Sequence, residues 1–217
     1  MKYYPVYLDL RDRSVLIVGG GRIAAQKIRG LTDTRCRIHV VAPDVRPAIA
    51  MLARRKRIHW SRRTYRTSDL NGARLVIAAT DDPALQKRIA DEARARRVWI
   101  NVVDVPPLCD FIAPAVIRRG AVQIAISTGG SAPALAKFLR RKLERAVGPE
   151  YGELARWIGS VRPAILRLPR PRRQSLWNCI VSEPFVRDVK RRGAGQAGAT
   201  VKRWIRERLP GKSSRRR

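Results

Sequence analysis

Ser14-Val15-Leu16-Ile17-Val18-Gly19-Gly20-Gly21-Arg22-Ile23-Ala24 is the stretch that decides the fold of this 217-residue chain. A continuous apolar run rich in β-branched residues predicts a parallel strand buried on both faces, and it stops abruptly at three glycines. Beyond them Ile23, Ala24, Lys27, Ile28 and Leu31 fall at helical spacing, so strand, tight turn and helix follow in that order. The glycines fit G-x-G-x-x-A. Gly19 makes the turn, Gly21 lets the backbone approach a pyrophosphate, and the helix amino terminus with Arg22 and Ile23 presents oriented N–H donors. The competing reading is a glycine turn that holds no ligand.

The same alternation continues outward. Residues 37–42, 74–79 and 98–103 read as further apolar strands. A helix carrying Ile49, Met51 and Leu52 and another over 83–96 lie between them, and no longer internal repeat is present. Strands and helices alternating over about a hundred residues predict an α/β, Rossmann-type, doubly wound parallel sheet with right-handed crossovers. After Phe111 the pattern changes. Residues 115–117 and 121–126 read as a hairpin turning at Arg118-Arg119-Gly120, and 131–145 as a helix with Ser131 as cap and Pro133 in its first turn. Amphipathic segments follow around Leu154, Trp157 and Ile158, around Leu176, Trp177 and Ile180, and around Val201, Trp204 and Ile205, broken by proline and glycine. The division expected is 1–113 for the sheet domain, 114–148 for a small α+β module, 149–210 for a helical domain and 211–217 for a basic, disordered tail.

The chain carries 47 Lys and Arg against 17 Asp and Glu, a net charge of +30. Residues 1–113 hold 22 basic and 11 acidic side chains and 114–217 hold 25 and 6, so the excess is weighted towards the carboxyl end. Such a field attracts polyanions, whether nucleic acid, acidic lipid or a polycarboxylate. No apolar run is long enough to span a membrane, and Asp9 interrupts the stretch a secretory peptide would need, so a cytoplasmic protein is expected. Cys36, Cys109 and Cys179 are odd in number and far apart, which supports neither a disulfide framework nor a zinc site. His39 and His59 read as packing or surface residues, and no metal-ligand cluster is present.

Ligands collect at the carboxyl ends of the strands of such a sheet. Thr80, Asp81 and Asp82 follow one strand; Asp-Asp-Pro before a helix reads as capping, and Thr80 as a lining of the nicotinamide side. Asn101 and Asp104 end another strand, and Val105-Pro106-Pro107 leaves no helix for Asp104 to cap, so its carboxylate reads as a general base. An acidic residue at the end of the second strand would hold the adenine ribose; Pro43 stands there with Asp44 slightly late, and Arg22 and Arg46 keep NADP open. Ser127-Thr128-Gly129-Gly130 turns into a helix with backbone N–H groups exposed, a place for a substrate carboxylate or simply a capped turn.

With these residues in view, the chain resembles the amino-terminal module of siroheme synthase, known in free-standing form as precorrin-2 dehydrogenase. The likeness rests on Tyr4-Pro5-Val6-Tyr7-Leu8-Asp9-Leu10, residues 15–27, Val40-Val41-Ala42-Pro43, residues 77–83, Asn101-Val102-Val103-Asp104, Phe111-Ile112-Ala113-Pro114 and residues 127–135. It covers about residues 1–145 clearly. It implies oxidation of precorrin-2, a tetrapyrrole polycarboxylate, to sirohydrochlorin with NAD as hydride acceptor, in a homodimer paired through 114–148. It places the catalytic aspartate at Asp104 and the dinucleotide contacts at Gly19 to Ile23, Pro43, Asp44, Thr80 and Asn101. Some members also insert ferrous iron. Thr128 departs from the serine common in relatives, which is a phosphorylation site in some, and the charge is higher than the family's. No methyltransferase module follows, so precorrin-2 is expected from another protein. A nucleic-acid or anion-binding protein on the same fold is the rival class; it explains the basic tail but leaves Asp104 and the Ser127–Gly130 turn without a purpose.

Overall fold

The computed structural model describes residues 3–208, and the basic run at 211–217 lies outside them. The chain divides after Ala113 into two compact units.

In the first unit β1 (Ser14–Val18), α1 (Arg22–Leu31), β2 (Arg37–Val41), α2 (Pro47–Arg54), β3 (His59–Ser61), β4 (Ala73–Ala78), α3 (Pro83–Ala95) and β5 (Trp99–Val102) alternate along the chain. The strands form one parallel sheet in the order β3-β2-β1-β4-β5, with β1 at its centre. The apolar run of β1 divides by strand periodicity. Val15 and Ile17 pack on one face with Ala24 and Ile28 of α1 and Ile49 of α2, whereas Leu16 and Val18 pack on the other with Ile89, Ala90 and Ala93 of α3. Fully burying a side chain such as Ile28 or Ile89 stabilises the unit by about 2 kcal/mol. Met51, expected among the apolar positions of α2, is exposed. Strand β3, which the sequence pattern did not announce, is three residues long and is tied down by Trp60, whose indole N–H donates to the Ala42 carbonyl at 3.0 Å.

In the second unit β6 (Ala115–Arg119) and β7 (Val122–Ile126) form an antiparallel hairpin. Its turn is Gly120-Ala121 rather than Arg118-Arg119-Gly120, because Arg119 stays in the strand and donates its guanidinium to the Val147 and Glu144 carbonyls at 2.9 and 3.1 Å. Then come α4 (Pro133–Ala146), α5 (Pro149–Ile165), α6 (Arg170–Ile180), α7 (Glu183–Arg192), α8 (Ala194–Ala197) and α9 (Ala199–Arg208). Leu154, Trp157, Val161 and Ile165 line one face of α5 and meet Leu176, Ile180, Val189, Val201 and Ile205 in a core of their own. Pro163 does not break α5, which continues to Ile165. Among the described residues no helix is long and apolar enough to cross a membrane.

Candidate dinucleotide and catalytic site

The three glycines that end β1 are not equivalent. Gly19 adopts φ +118°, and a Cβ built on it would run into the Ala79 carbonyl oxygen at the end of β4. A Cβ on Gly20 would strike the Asp44 carbonyl oxygen beyond β2. The chain's own backbone therefore excludes a side chain at both positions. Gly21 has φ −76°, which any residue adopts, and a Cβ there would meet nothing within 4 Å. The backbone at Gly21 is thus open, with room for a pyrophosphate to approach it. Gly21 is the residue before α1, whose opening N–H groups lack intrahelical acceptors, and no acidic side chain stands in the first turn.

Around this cradle β1, β2 and β4 bring their carboxyl ends together. Gly19 N donates to Val41 O at 3.0 Å, Ala79 N to Val18 O at 2.7 Å and Arg46 N to Gly20 O at 2.9 Å. Pro43 and Asp44 are exposed at its rim, as is Arg22. Thr80 is half-buried across the gap between β1 and β4, where the chain's winding reverses, the usual binding crevice of an open parallel sheet. Its carbonyl accepts from Gln86 Nε2 at 2.6 Å. Asp82 caps α3, its Oδ1 accepting from Ala84 N and Leu85 N at 2.9 and 3.2 Å, which is the role its position before Pro83 predicted.

At the end of β5 the backbone folds sharply. Val105 N donates to Val102 O at 3.3 Å across a turn in which Asp104 takes a left-handed φ of +61°. Asp104 is exposed at the sheet edge. Asn101 is buried within β5 and donates through Nδ2 to the Phe111 carbonyl at 2.9 Å, so its amide holds the returning loop. That loop is pinned again by Asp110, whose Oδ2 accepts from Ile100 N at 3.1 Å and whose N donates to Ile100 O at 2.9 Å. Lys27 reaches over from α1. Burial lowers its pKa, and the negative charge of Asp104 opposes that shift. Gly20, Lys27 and Cys109 join the site beyond the residues picked from sequence. A third glycine in the run was the only visible signal for Gly20; Cys109 is the one cysteine beside a motif, and nothing local marks Lys27.

The Ser127–Gly130 turn belongs to the second unit. Gly129 and Gly130 have φ +66° and +88°, Gly129 N donates to Ser127 Oγ at 3.0 Å, and Thr128 Oγ1 accepts from Ala132 N at 3.2 Å. Ser131, expected as the cap of α4, instead donates its hydroxyl to the Thr128 carbonyl at 2.5 Å, and Ala132 occupies the cap position. The turn is thus built by its own hydroxyls and leads into the amino terminus of α4. No group of three or more metal-ligating side chains exists among the described residues.

The chain is similar to several known proteins. An NAD(P)-binding family model matches residues 6–115, and a model described as the central part of sirohaem biosynthesis proteins matches 119–146. The chain is 40% identical to the siroheme synthase of Pseudomonas entomophila strain L48 over 213 residues, 97% of this chain and 45% of that one. It is also 40% identical to the siroheme synthase of Methylococcus capsulatus over 186 residues, 85% of this chain and 39% of that one. It therefore spans less than half the length of these relatives. Among solved structures, SirC, precorrin-2 dehydrogenase, superposes with a TM-score of 0.77 at 27% identity, covering 94% of this chain and 100% of that one. An NAD(P)-binding match over half of the chain, continued by the matched sirohaem segment, shows that the chain belongs to the family of the siroheme synthase amino-terminal module and precorrin-2 dehydrogenase.

Proposed function

We propose that the protein oxidises precorrin-2 to sirohydrochlorin with NAD as the hydride acceptor. The observation that carries this reading is that the carboxyl ends of the strands hold two things: a glycine turn with open backbone at Gly21, and the Asp104 carboxylate exposed on a left-handed turn. The reaction removes two hydrogens from the macrocycle, one as hydride and one as a proton. Bound dinucleotide supplies the electron-pair acceptor. Gly21, with Arg22 and Ile23 behind it, receives the pyrophosphate on open backbone; Pro43 and Asp44 border the adenosine side, and Thr80 and Asn101 the nicotinamide side. NAD is favoured over NADP because the Asp44 carboxylate at the rim would repel a 2′-phosphate.

Asp104 takes the proton. Its place at the strand end leaves it open to solvent, to which the proton passes on. The Ser127–Gly130 turn, with Thr128 at its centre and the start of α4 behind it, receives a carboxylate of the substrate. The strong positive charge assists by drawing a polycarboxylate towards the protein. We assign residues 114–148 the pairing of two copies into a homodimer.

The test is incubation of purified protein with precorrin-2 and either NAD or NADP, following the macrocycle and the reduced dinucleotide by absorbance. Stoichiometric NADH and the sirohydrochlorin spectrum are expected. Ferrous iron added afterwards, as a second substrate, separates a dehydrogenase that stops at sirohydrochlorin from one that continues to siroheme. Unchanged precorrin-2 with either dinucleotide would overturn the reading.

A further inference from the structure

We propose that Cys109 is a positioning residue for Asp104: its thiol grips the turn that carries the carboxylate and so sets the geometry of proton transfer without meeting the substrate. The inference rests on the reading of Asp104 as proton acceptor.

The turn from Val102 to Val105 is closed by a single long backbone hydrogen bond of 3.3 Å. Left to itself, such a turn would not hold Asp104 left-handed, a conformation costing a non-glycine residue about 1 kcal/mol or more that persists only where the surroundings enforce it. The enforcing group is Cys109. Its Sγ accepts from Val102 N at 3.2 Å and from Asn101 Nδ2 at 3.6 Å, and faces as donor both Val102 O at 3.1 Å and Val105 O at 3.4 Å. Only Val103 and Asp104 lie between Val102 and Val105, both of which the sulfur engages. Gripping both ends of a four-residue turn fixes the two residues in its middle.

The thiol suits that work and not nucleophilic attack. It is half-buried, and burial pushes its pKa up, which keeps the proton it needs as a donor. The loop that delivers it is anchored independently, by Asp110 on both backbone groups of Ile100 and by Asn101 on Phe111 O. Removing the sulfur therefore releases the turn while leaving the loop and the sheet in place. A cysteine that merely filled space would affect the protein equally whether or not residue 104 carried a carboxylate.

A double-mutant cycle separates the two roles. Wild type, Cys109→Ala, Asp104→Asn and the double variant are compared for kcat and KM with precorrin-2 and NAD, with NAD binding and thermal melting recorded for each. Cys109→Ala is expected to lower kcat about 10- to 100-fold by misplacing the carboxylate, with the KM for NAD within about twofold of wild type. In the Asp104→Asn background the same change should leave the residual rate unaltered, and Cys109→Ser, which keeps a hydrogen-bonding group, should recover most of the rate. If Cys109→Ala does not fold, the cycle is run with Cys109→Ser, for which a smaller loss dependent on Asp104 is expected. Equal loss in both backgrounds, or a wild-type rate for Cys109→Ala, overturns the positioning role alone. A wild-type rate for Asp104→Asn overturns the assignment of Asp104 itself, and the positioning role with it.

Discussion

The α-carbon of Gly19 lies so close to the Ala79 carbonyl that β1 and β4 leave no room for a methyl group between them, whereas two residues on Gly21 faces open space. The two positions should therefore fail in different ways. Gly19→Ala is expected to destabilise the protein by about 1–3 kcal/mol from overpacking alone, with left-handed strain in addition. Gly21→Asp should melt within a few degrees of wild type and lose NAD binding, since a carboxylate replaces bare backbone where phosphate sits. Thermal melting and titration with NAD check both. Unchanged affinity in a folded Gly21→Asp protein would move the pyrophosphate elsewhere.

Replacing Asp104 with Asn removes the proton acceptor and keeps the backbone, because Asn adopts the left-handed region at least as readily. The expected result is a fall in kcat of about a hundredfold to ten-thousandfold, with melting temperature and NAD affinity preserved. Asp82→Ala gives the opposite pattern: about 1 kcal/mol of stability lost with the α3 cap, and turnover nearly intact.

The edge formed by β2 and β3 makes stability depend on pH. His39 and His59 lie with ring centroids 4.8 Å apart, and His39 Nε2 shares a 2.9 Å hydrogen bond with Ser61 Oγ. Burial lowers the His39 pKa; His59 and Arg63 lower it further, and Asp69 opposes them. A histidine with a lowered folded-state pKa binds its proton more readily when unfolded, so its contribution is complete above about pH 6.5 and is lost as the pH falls towards the folded value. Melting temperature should decline below about pH 6.5, and less steeply in His39→Gln.

A second acid transition is expected from Asp69. Burial raises its pKa, but the paired guanidinium of Arg63, at 2.6 and 2.9 Å, and the Arg66 N–H at 2.8 Å outweigh burial and hold it below the usual carboxylate range. Its stabilisation is full above about pH 4 and disappears as the pH falls through the lowered value. Asp69→Asn should reduce stability at neutral pH, with the difference from wild type shrinking in acid.

In the second unit Gly198 rests on the indole of Trp157, and the buried Trp157 Nε1 has no hydrogen-bond partner among the described residues. Gly198→Ala should cost about 1–3 kcal/mol by forcing the ring aside. Trp157→Phe should be tolerated comparatively well, because no hydrogen bond is lost, and should offset part of the Gly198→Ala defect. Chemical denaturation of the four proteins measures the coupling.

Much of this was legible in the sequence, for identifiable reasons. β1 declares itself because it is buried on both faces and must be apolar throughout, and Asp82 declares itself because Asp-Pro before a helix has few other uses. β3 has three residues, two of them polar, and its place is set by pairing with β2, a long-range relation that leaves no local period. α7 was not foreseen because six of its ten residues are Glu, Asp, Lys or Arg at positions that hide its few apolar contacts, though Ser182 caps it through Phe185 N. The hairpin turn was misplaced by two residues because Arg119 is held in the strand by carbonyls about 25 residues away in sequence. In the candidate site, Gly19, Gly21 and Asp104 could be picked by type and position. Cys109 stands beside a motif, but its contacts could not be read, since they follow from where a loop returns.

The difference between Gly19 and Gly21 also has an evolutionary reading. Selection for a folded sheet would act on the first and, on the proposed function, selection for the cofactor on the second, although only Gly20 separates them. A descendant that gave up dinucleotide chemistry and kept the fold would retain glycine at 19 and 20 and drift freely at 21. The residue found at that one position would then mark, in an otherwise similar chain, whether the ancestral chemistry had been kept or abandoned.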